Sequence, residues 1–384
     1  MPRHPHVAPS VAAMSGSVYS NVLHRLANFR GEVVPLSVGD TWMEPPEGAR
    51  MEDIKVADHP GMHRYAPPQG LPALLDLLAD RLRARTGVAT GRENILLTTG
   101  ATGGLSTVAG ALVAPGDEVL LLAPYWPLIS GIVRSFHGTP VAVPFIGRAD
   151  SPETAVELVA AARTERTVAL YLSTPNNPSG KVIPRSWIEA LVEWARREDL
   201  WLIADEVYED YRYDGSDQPY TRPLAPERTL SAHSFSKAFG MAGNRCGYLV
   251  GPADVMGELR KVSTHGFYST PTAAQLAAIE VLGPRGDAWI ARARELYREA
   301  GHRAAARLGV PAPEGSTFLF LDVADRLDER GLGGLLEDCA DRGLLVSQGT
   351  SFGPYPHHVR ICFTAAPPDA VARGVEILAG LLGR

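Results

Sequence analysis

Cysteine is scarce in this 384-residue chain: Cys246, Cys339 and Cys362 stand far apart, without a C-x-x-C pair. An odd, scattered set argues against a disulfide framework or a cysteine-ligated zinc site and fits a reducing compartment, so the cytoplasm is the expected location. H-E-x-x-H is absent, and the adjacent His357 and His358 would point to opposite sides of a strand, so no metal site is expected. No apolar run approaches the ~20 residues that cross a bilayer. Basic clusters are missing too: 37 Lys and Arg against 43 Asp and Glu give a net charge of −6, which speaks against nucleic acid or an anionic membrane as partner. Residues 1–16 mix Pro, His, Ser and Ala without a continuous apolar stretch, and a flexible N-terminal arm is expected there rather than a signal peptide or anchor.

What remains is the composition of a globular enzyme, 45% hydrophobic and 21% charged, in a chain long enough for two domains. A helix is expected from about Val18 to Phe29, then an extended segment Val33 to Val38, broken by Pro45 and Pro46. Leu71, Leu74, Leu75, Leu78 and Leu82 recur at helical spacing, with Gly87 placed as a stop. Short apolar strands follow, each expected to lead into a helix: Ile95–Thr98, Glu118–Leu122, Val141–Pro144, Thr167–Leu172, Trp201–Ala204 and Thr229–Ala232. Such strands predict an α/β fold, with a mostly parallel sheet flanked by helices in a large domain. Beyond Gly251 the pattern changes. A helix over Asp287–Leu308, strand Phe318–Leu321, a helix near Leu332–Ala340, strands Leu344–Ser347 and Val359–Phe363, and a closing helix from Pro368 to Leu382 read as a smaller α+β domain. We therefore expect residues 47–251 as the large domain, with 17–46 and 252–384 forming the small one.

In parallel sheets ligands bind beyond the carboxyl ends of the strands, and polar residues gather there. One strand opens into Ser234-Phe235-Ser236-Lys237-Ala238-Phe239-Gly240, with Arg245 downstream. A lone lysine is usually a solvated surface cation. Here small and aromatic neighbours just past a buried strand favour burial, which depresses an amine's pKa and makes it nucleophilic toward an aldehyde. Another strand delivers Asp205, followed by Glu206, Val207 and Tyr208; a helix cap is the commoner role for such an Asp. A third leads into Ser173-Thr174-Pro175-Asn176-Asn177-Pro178-Ser179-Gly180, which also reads as a plain turn-rich loop. A fourth ends in Thr98-Thr99-Gly100-Ala101-Thr102-Gly103-Gly104 and opens a helix whose N-terminus suits a phosphate. That turn matches neither G-x-G-x-x-G nor the P-loop.

Taken together in this order, these motifs resemble the fold-type-I pyridoxal-phosphate-dependent enzymes of the class I/II aminotransferase family, from roughly Val33 to Thr364. The resemblance implies pyridoxal 5'-phosphate as cofactor, Lys237 as its Schiff-base lysine and Asp205 as partner of the pyridine nitrogen. Asn177 and Tyr208 match residues that bond the phenolic oxygen. Ala101, Thr102, Ser234 and Arg245 match the phosphate cradle, and Trp126 the aromatic stacked on the ring. Arg360 and Gly39 match the groups around the substrate α-carboxylate, where a guanidinium offers a better fork than an ammonium. Tyr65 and Ser269 resemble residues that reach a neighbouring subunit's cofactor, which implies a homodimer with shared sites.

The implied activity is transamination between an amino acid and a 2-oxo acid, both small-molecule partners, with Lys237 carrying the proton from Cα. The alternative on the same scaffold is a β-lyase, decarboxylase, cyclase or oxidase of an amino acid. A ligand-sensing regulator would need an added DNA-binding module, and only a short, non-basic arm precedes the match. Where dicarboxylate-specific relatives carry an arginine, this chain has His265, so aspartate-only specificity is not expected. Asp40, Trp42 and Met43 are expected to line the substrate side and to favour neutral or aromatic side chains.

Overall fold

The computed structural model describes residues 8–12, 14, 16 and 22–384. Six of the strands expected from the sequence lie in one seven-stranded sheet: Ile95–Thr98, Glu118–Ala123, Thr139–Pro144, Thr167–Ser173, Trp201–Asp205 and Thr229–Ser234. The seventh, Gly247–Val250, was not expected. It runs antiparallel between Ile95–Thr98 and Thr229–Ser234, while the pairings from Thr229–Ser234 outward to Thr139–Pro144 are all parallel. Inner strands such as Glu118–Ala123 are buried along their whole length, as a sheet covered on both faces requires. The edge strand Thr139–Pro144 is largely exposed and carries two prolines, which blunt an otherwise open edge.

Helices Gly100–Leu112, Pro127–Ser135 and Ala253–Gly266 cover one face of the sheet, around Leu105, Val108, Ile129, Tyr171, Ile203 and Leu259. The helix after Trp201–Asp205 does not form. Among the described residues, 206–228 hold only turns, bends and an isolated bridge from Arg212 to Gly315, and side-chain bonds such as Tyr220 to Glu209 and Arg222 to Thr90 anchor this crossover.

Helices Ala253–Gly266 and Thr272–Val281 differ from the sequence expectation, which gave them to the small domain. Met256 and Leu259 pack on the large sheet, and Ala274, Ala277, Ala278 and Val281 join Leu74, Leu78, Ile95 and Tyr248. The end of the strand series is thus not the end of the layer that covers it. The long helix Pro284–Leu308 makes the transition: Ile290 still packs with the large sheet, whereas Ala293, Tyr297 and Ala304 lie in the smaller core.

That smaller core surrounds an antiparallel sheet of Ser347–Gln348, His358–Cys362 and Phe318–Asp322, with helices Gly331–Asp341 and Pro368–Leu381. The single strand expected at Leu344–Ser347 is two. Leu344–Leu345 pairs in parallel with Val34–Pro35, and Ser347–Gln348 turns to pair with Val359 and Arg360. The chain around Leu36 is thereby drawn into the small core, and the Cys362 N–H donates to the Leu36 carbonyl at 2.9 Å. Of the helix expected at 18–29, residues 18–21 lie outside the described residues. Leu23–Asn28 is a 3₁₀ helix tied to Gly331–Asp341 by Arg25, which pairs with Asp341 and Glu337. The expected arm 1–16 falls mostly outside the described residues; within it Pro9–Ala12 is a helical turn.

Candidate active site

Strand ends from the large sheet and one strand of the small sheet converge on a cavity of about 200 Å³. Gly39, Ala101, Thr102, Trp126, Asn177, Asp205, Tyr208, Ser234, Lys237, Arg245 and Arg360 line it together. Of the residues named from the sequence, Tyr65 and Ser269 are not in that lining, nor are Asp40, Trp42 and Met43 of the expected substrate side.

Lys237 sits on the four-residue helix Phe235–Ala238 that ends the Thr229–Ser234 strand. Tyr211, fully buried, fixes this helix by donating its hydroxyl to the carbonyls of Lys237 and Ala238 at 2.9 and 3.0 Å. The Lys237 Nζ donates to the Gly39 carbonyl. Burial pushes the ammonium below the ordinary lysine value, opposed by nearby Asp40 and assisted by the charges of Arg245 and Arg360. The result is an amine held in reach of the cavity and easier to deprotonate than a surface lysine. Gly39 is required at its position, since a Cβ there would stand 2.6 Å from the buried Phe318 ring.

Asp205 ends the Trp201–Asp205 strand and is buried. Its Oδ2 accepts from the Tyr171 hydroxyl at 2.6 Å, while Oδ1 is buried without a hydrogen-bond partner. Loss of solvation raises this carboxyl to about 6, against the Tyr171 hydroxyl, the Val207 N–H and His233, which favour the charged form. A buried carboxylate oxygen with no donor is costly unless a ligand supplies one.

At the far side of the cavity the helix Gly100–Leu112 presents its N-terminus. Thr99 caps it without a side-chain bond, leaving the first N–H groups turned outward. The Ser234 hydroxyl accepts from the Ser236 N–H at 3.1 Å and donates to the Ser236 hydroxyl. Arg245, in the left-handed region at φ 55, donates to the Ala242 carbonyl at 2.8 Å and the Thr99 carbonyl at 3.3 Å. Hydroxyls, a guanidinium and helix N–H groups therefore surround one anion-sized place.

Arg360 is fully buried in the His358–Cys362 strand. Its guanidinium lies between the Phe318 and Phe352 rings, 4.3 and 4.7 Å from their centroids. It donates to Asn177 Oδ1 at 3.0 Å, to Ser347 Oγ at 3.3 Å and to the Ser37 carbonyl.

Trp42 and Met43 do not line the cavity; Met43 is buried in the small core, and the Trp42 N–H donates to the Thr364 carbonyl at 2.8 Å. The apolar wall comes instead from Val38, Leu105, Leu128 and Val207, none of which carried a sequence signal beyond apolarity. His265 is exposed on the last turn of Ala253–Gly266, with its ring Nδ1 2.8 Å from the Lys261 carbonyl oxygen. Tyr65 is 86% exposed, and its ring lies 4.9 Å from that of the exposed Tyr268, next to Ser269. Tyr171 was missed because it reads as one more residue of an apolar strand.

The fold recurs among solved structures. A Thermus thermophilus aspartate aminotransferase mutant superposes with a TM-score of 0.88 at 30% identity, covering 98% of this chain and 100% of that one. An aspartate/prephenate aminotransferase of the same organism is 34% identical over 92% of both chains. An arginine–pyruvate transaminase of Pseudomonas aeruginosa is 32% identical, again over 92% of each. Residues 31–378 match the family described as aminotransferase class I and II. With that match over most of its length and these relatives, the chain belongs to the class I and II aminotransferases, enzymes dependent on pyridoxal 5'-phosphate.

Proposed function

We propose that this aminotransferase works through Lys237, with Asp205, Asn177, Tyr208, Trp126 and Arg245 holding the cofactor and Arg360 the substrate α-carboxylate. The observation that carries the assignment is the pair of opposed groups in one cavity: a buried lysine amine and a buried Asp205 oxygen without a donor. These residues fit pyridoxal phosphate. Asp205 Oδ1 suits a protonated ring nitrogen, the Gly100–Leu112 N-terminus with Ser234 and Arg245 suits the phosphate, and the Lys237 Nζ suits the aldehyde.

Bound pyridoxal phosphate supplies an electron sink for the pair left by a breaking Cα–H bond. The chain's residues do the rest. Arg360 orients the donor through its carboxylate, held rigid by two rings and by Asn177. The Lys237 Nζ, a buried amine below its ordinary value, would hold and move the proton lost from the donor Cα.

The cations that line the cavity among the described residues are Lys237, Arg245 and Arg360, and each has a role in this scheme. The remaining wall is mostly apolar, Val38, Leu105, Leu128, Val207 and Ala242, with Ser236 beside them. A donor with a neutral, apolar side chain fits it, because a distal carboxylate would lose its solvation with no counterion from this chain. Relatives named for aspartate/prephenate and arginine–pyruvate exchange show that side-chain choice varies within the family.

A homodimer is supported by Tyr65 and Tyr268, exposed aromatic rings packed on each other outside the cavity of their own chain. Three buried free thiols suit a reducing cytoplasm.

The test is a single-turnover experiment without any 2-oxo acid acceptor. Holoenzyme mixed with leucine, methionine or phenylalanine should release about one equivalent of 2-oxo acid per site and no ammonia. Aspartate at the same concentration should release far less, and Lys237→Ala none. Continued release with ammonia would instead identify a lyase or oxidase, and a preference for aspartate would overturn the apolar-donor assignment.

A further inference from the structure

Tyr171 lies on the Thr167–Ser173 strand, in parallel register opposite Ile203, with Ser173 opposite Asp205. Its side chain therefore leans along the sheet toward the carboxylate two residues on. It is fully buried among Leu121, Ala169, Ile203 and Ala232, and its hydroxyl reaches Asp205 Oδ2 at 2.6 Å. That side-chain bond engages one of the two oxygens of the carboxylate, beside the backbone N–H of Val207. Oδ2 is engaged from below by the sheet, and Oδ1 is left without a partner in a residue that lines the cavity.

We propose that Tyr171 is a positioning residue of the cofactor site: its hydroxyl holds Asp205 Oδ2 so that Oδ1 is presented to the cofactor ring nitrogen. This rests on Asp205 meeting that nitrogen, as in the functional assignment above. An aspartate side chain has a broad, roughly two-fold terminal torsion, so a buried one without an anchor can rotate and offer either oxygen at any tilt. A short hydrogen bond from a rigid ring in the adjacent strand removes that freedom before the cofactor arrives, and the ordering cost is met on folding.

The same bond acts on charge. The hydroxyl stabilises the carboxylate and not the acid, so it works against the burial that raises Asp205. Other groups also face this carboxyl. His233 on the Thr229–Ser234 strand favours its ionised form, and that ring is itself engaged by Glu209 at 3.0 Å and Glu206 at 3.6 Å. Tyr208 stands beside Tyr171, and Lys237, Arg245 and Arg360 share the cavity. Of all these, Tyr171 is the one whose side chain donates directly to Asp205.

The experiment is the affinity of the apoenzyme for pyridoxal 5'-phosphate, by equilibrium dialysis from pH 6 to pH 9, in wild type, Tyr171→Phe, Asp205→Asn and the double variant. Phe keeps the ring in the core and removes only the hydroxyl. Tyr171→Met, which fills the same space without a donor, replaces it if the Phe variant does not fold. Loss of a hydrogen bond to a charged group should weaken binding roughly 10-fold at pH 7. The gap should narrow toward pH 9, where Asp205 is ionised with or without the hydroxyl. In the Asp205→Asn background the Tyr171 change should add almost nothing, because its route is gone. Equal affinity at every pH, a loss independent of pH, or full additivity with Asp205→Asn would each reduce Tyr171 to packing and overturn the proposal. Failure of the wild-type protein to bind the cofactor would instead strike the functional assignment itself.

Discussion

Arg360 shows what one side chain must give up to become a binding group. A buried guanidinium is costly unless its charge is compensated, and here two aromatic faces and the acceptors of Asn177, Ser37 and Ser347 share that task. The planar fork is thereby fixed before substrate enters. Lysine keeps the charge but can neither fill the slot between Phe318 and Phe352 nor hold several acceptors at once. Arg360→Lys should lower kcat/KM for every amino donor by roughly 10²-fold, about 3 kcal/mol of transition-state stabilisation. Cofactor affinity should stay near wild type. Steady-state kinetics with two donors, alongside dialysis of the cofactor, checks this; an unchanged kcat/KM would remove Arg360 from substrate binding. Most of the cavity residues were legible at this scale because short motifs carry them: Asn177 beside two prolines, Asp205 before Glu206 and Tyr208, and Lys237 between serine and alanine. Tyr171 was not, because a tyrosine in an apolar strand announces nothing about the carboxylate its hydroxyl meets one strand away. The wall formed by Val38, Leu105, Leu128 and Val207 was hidden for the same reason.

The cradle at the Gly100–Leu112 N-terminus is a property of elements rather than side chains. Strand Gly247–Val250 inserts between Ile95–Thr98 and Thr229–Ser234, and its first residue meets the start of that helix. A Cβ on Gly247 would lie 2.7 Å from the His233 carbonyl oxygen, 2.8 Å from the Gly100 carbonyl carbon and 2.9 Å from the Ala101 nitrogen. All three contacts are backbone, so the helix start itself would have to move. Gly247→Ala should cost about 1–3 kcal/mol in stability and weaken pyridoxal phosphate or free phosphate binding at least 10-fold. Thermal unfolding and phosphate competition measure the two effects; a stable variant with wild-type affinity would show that the cradle does not depend on this approach. The strand itself escaped sequence reading because it is four residues long and no helical pattern separates it from the Lys237 motif just before it. The other strands were legible from apolar runs of four to seven residues between helical patterns. The helices Ala253–Gly266 and Thr272–Val281 went to the small domain because periodicity can state that a face is buried, never against which sheet.

Across the whole molecule, a buried charged network ties the layers together behind the cavity. Glu209 bonds His233, Arg85 and the Tyr220 hydroxyl; Arg85 also pairs with Asp210 at 2.6 Å, and Asp210 accepts at its carbonyl from Arg294 of the long helix. Burial raises Asp205 to about 6 and Glu206 to about 7, while His233 is raised by its two glutamates against its own burial. For the two carboxyls the folded value exceeds the unfolded one, so the folded apoenzyme binds more protons between roughly pH 4 and pH 7. Their ionisation penalty is complete above about pH 7 and relieved as pH falls; for Asp205 it amounts to about 3 kcal/mol. The His233 contribution is present below its unfolded value and lost as pH rises through the folded one, which is the same direction. Glu209 opposes them only below the interval tested, while His358 and Lys237, both lowered by burial, oppose them within it; the fully buried pair of carboxyls together with His233 outweighs the half-buried His358 and the single lysine. The apoenzyme should therefore unfold several degrees lower at pH 8 than at pH 5.5. Pyridoxal phosphate, with a protonated nitrogen against Asp205, removes that residue's share and should flatten the dependence. Scanning calorimetry of both forms across this range decides the matter. An apoenzyme whose midpoint rises with pH would mean that these carboxyls are solvated, and that the cofactor meets no stored charge when it binds.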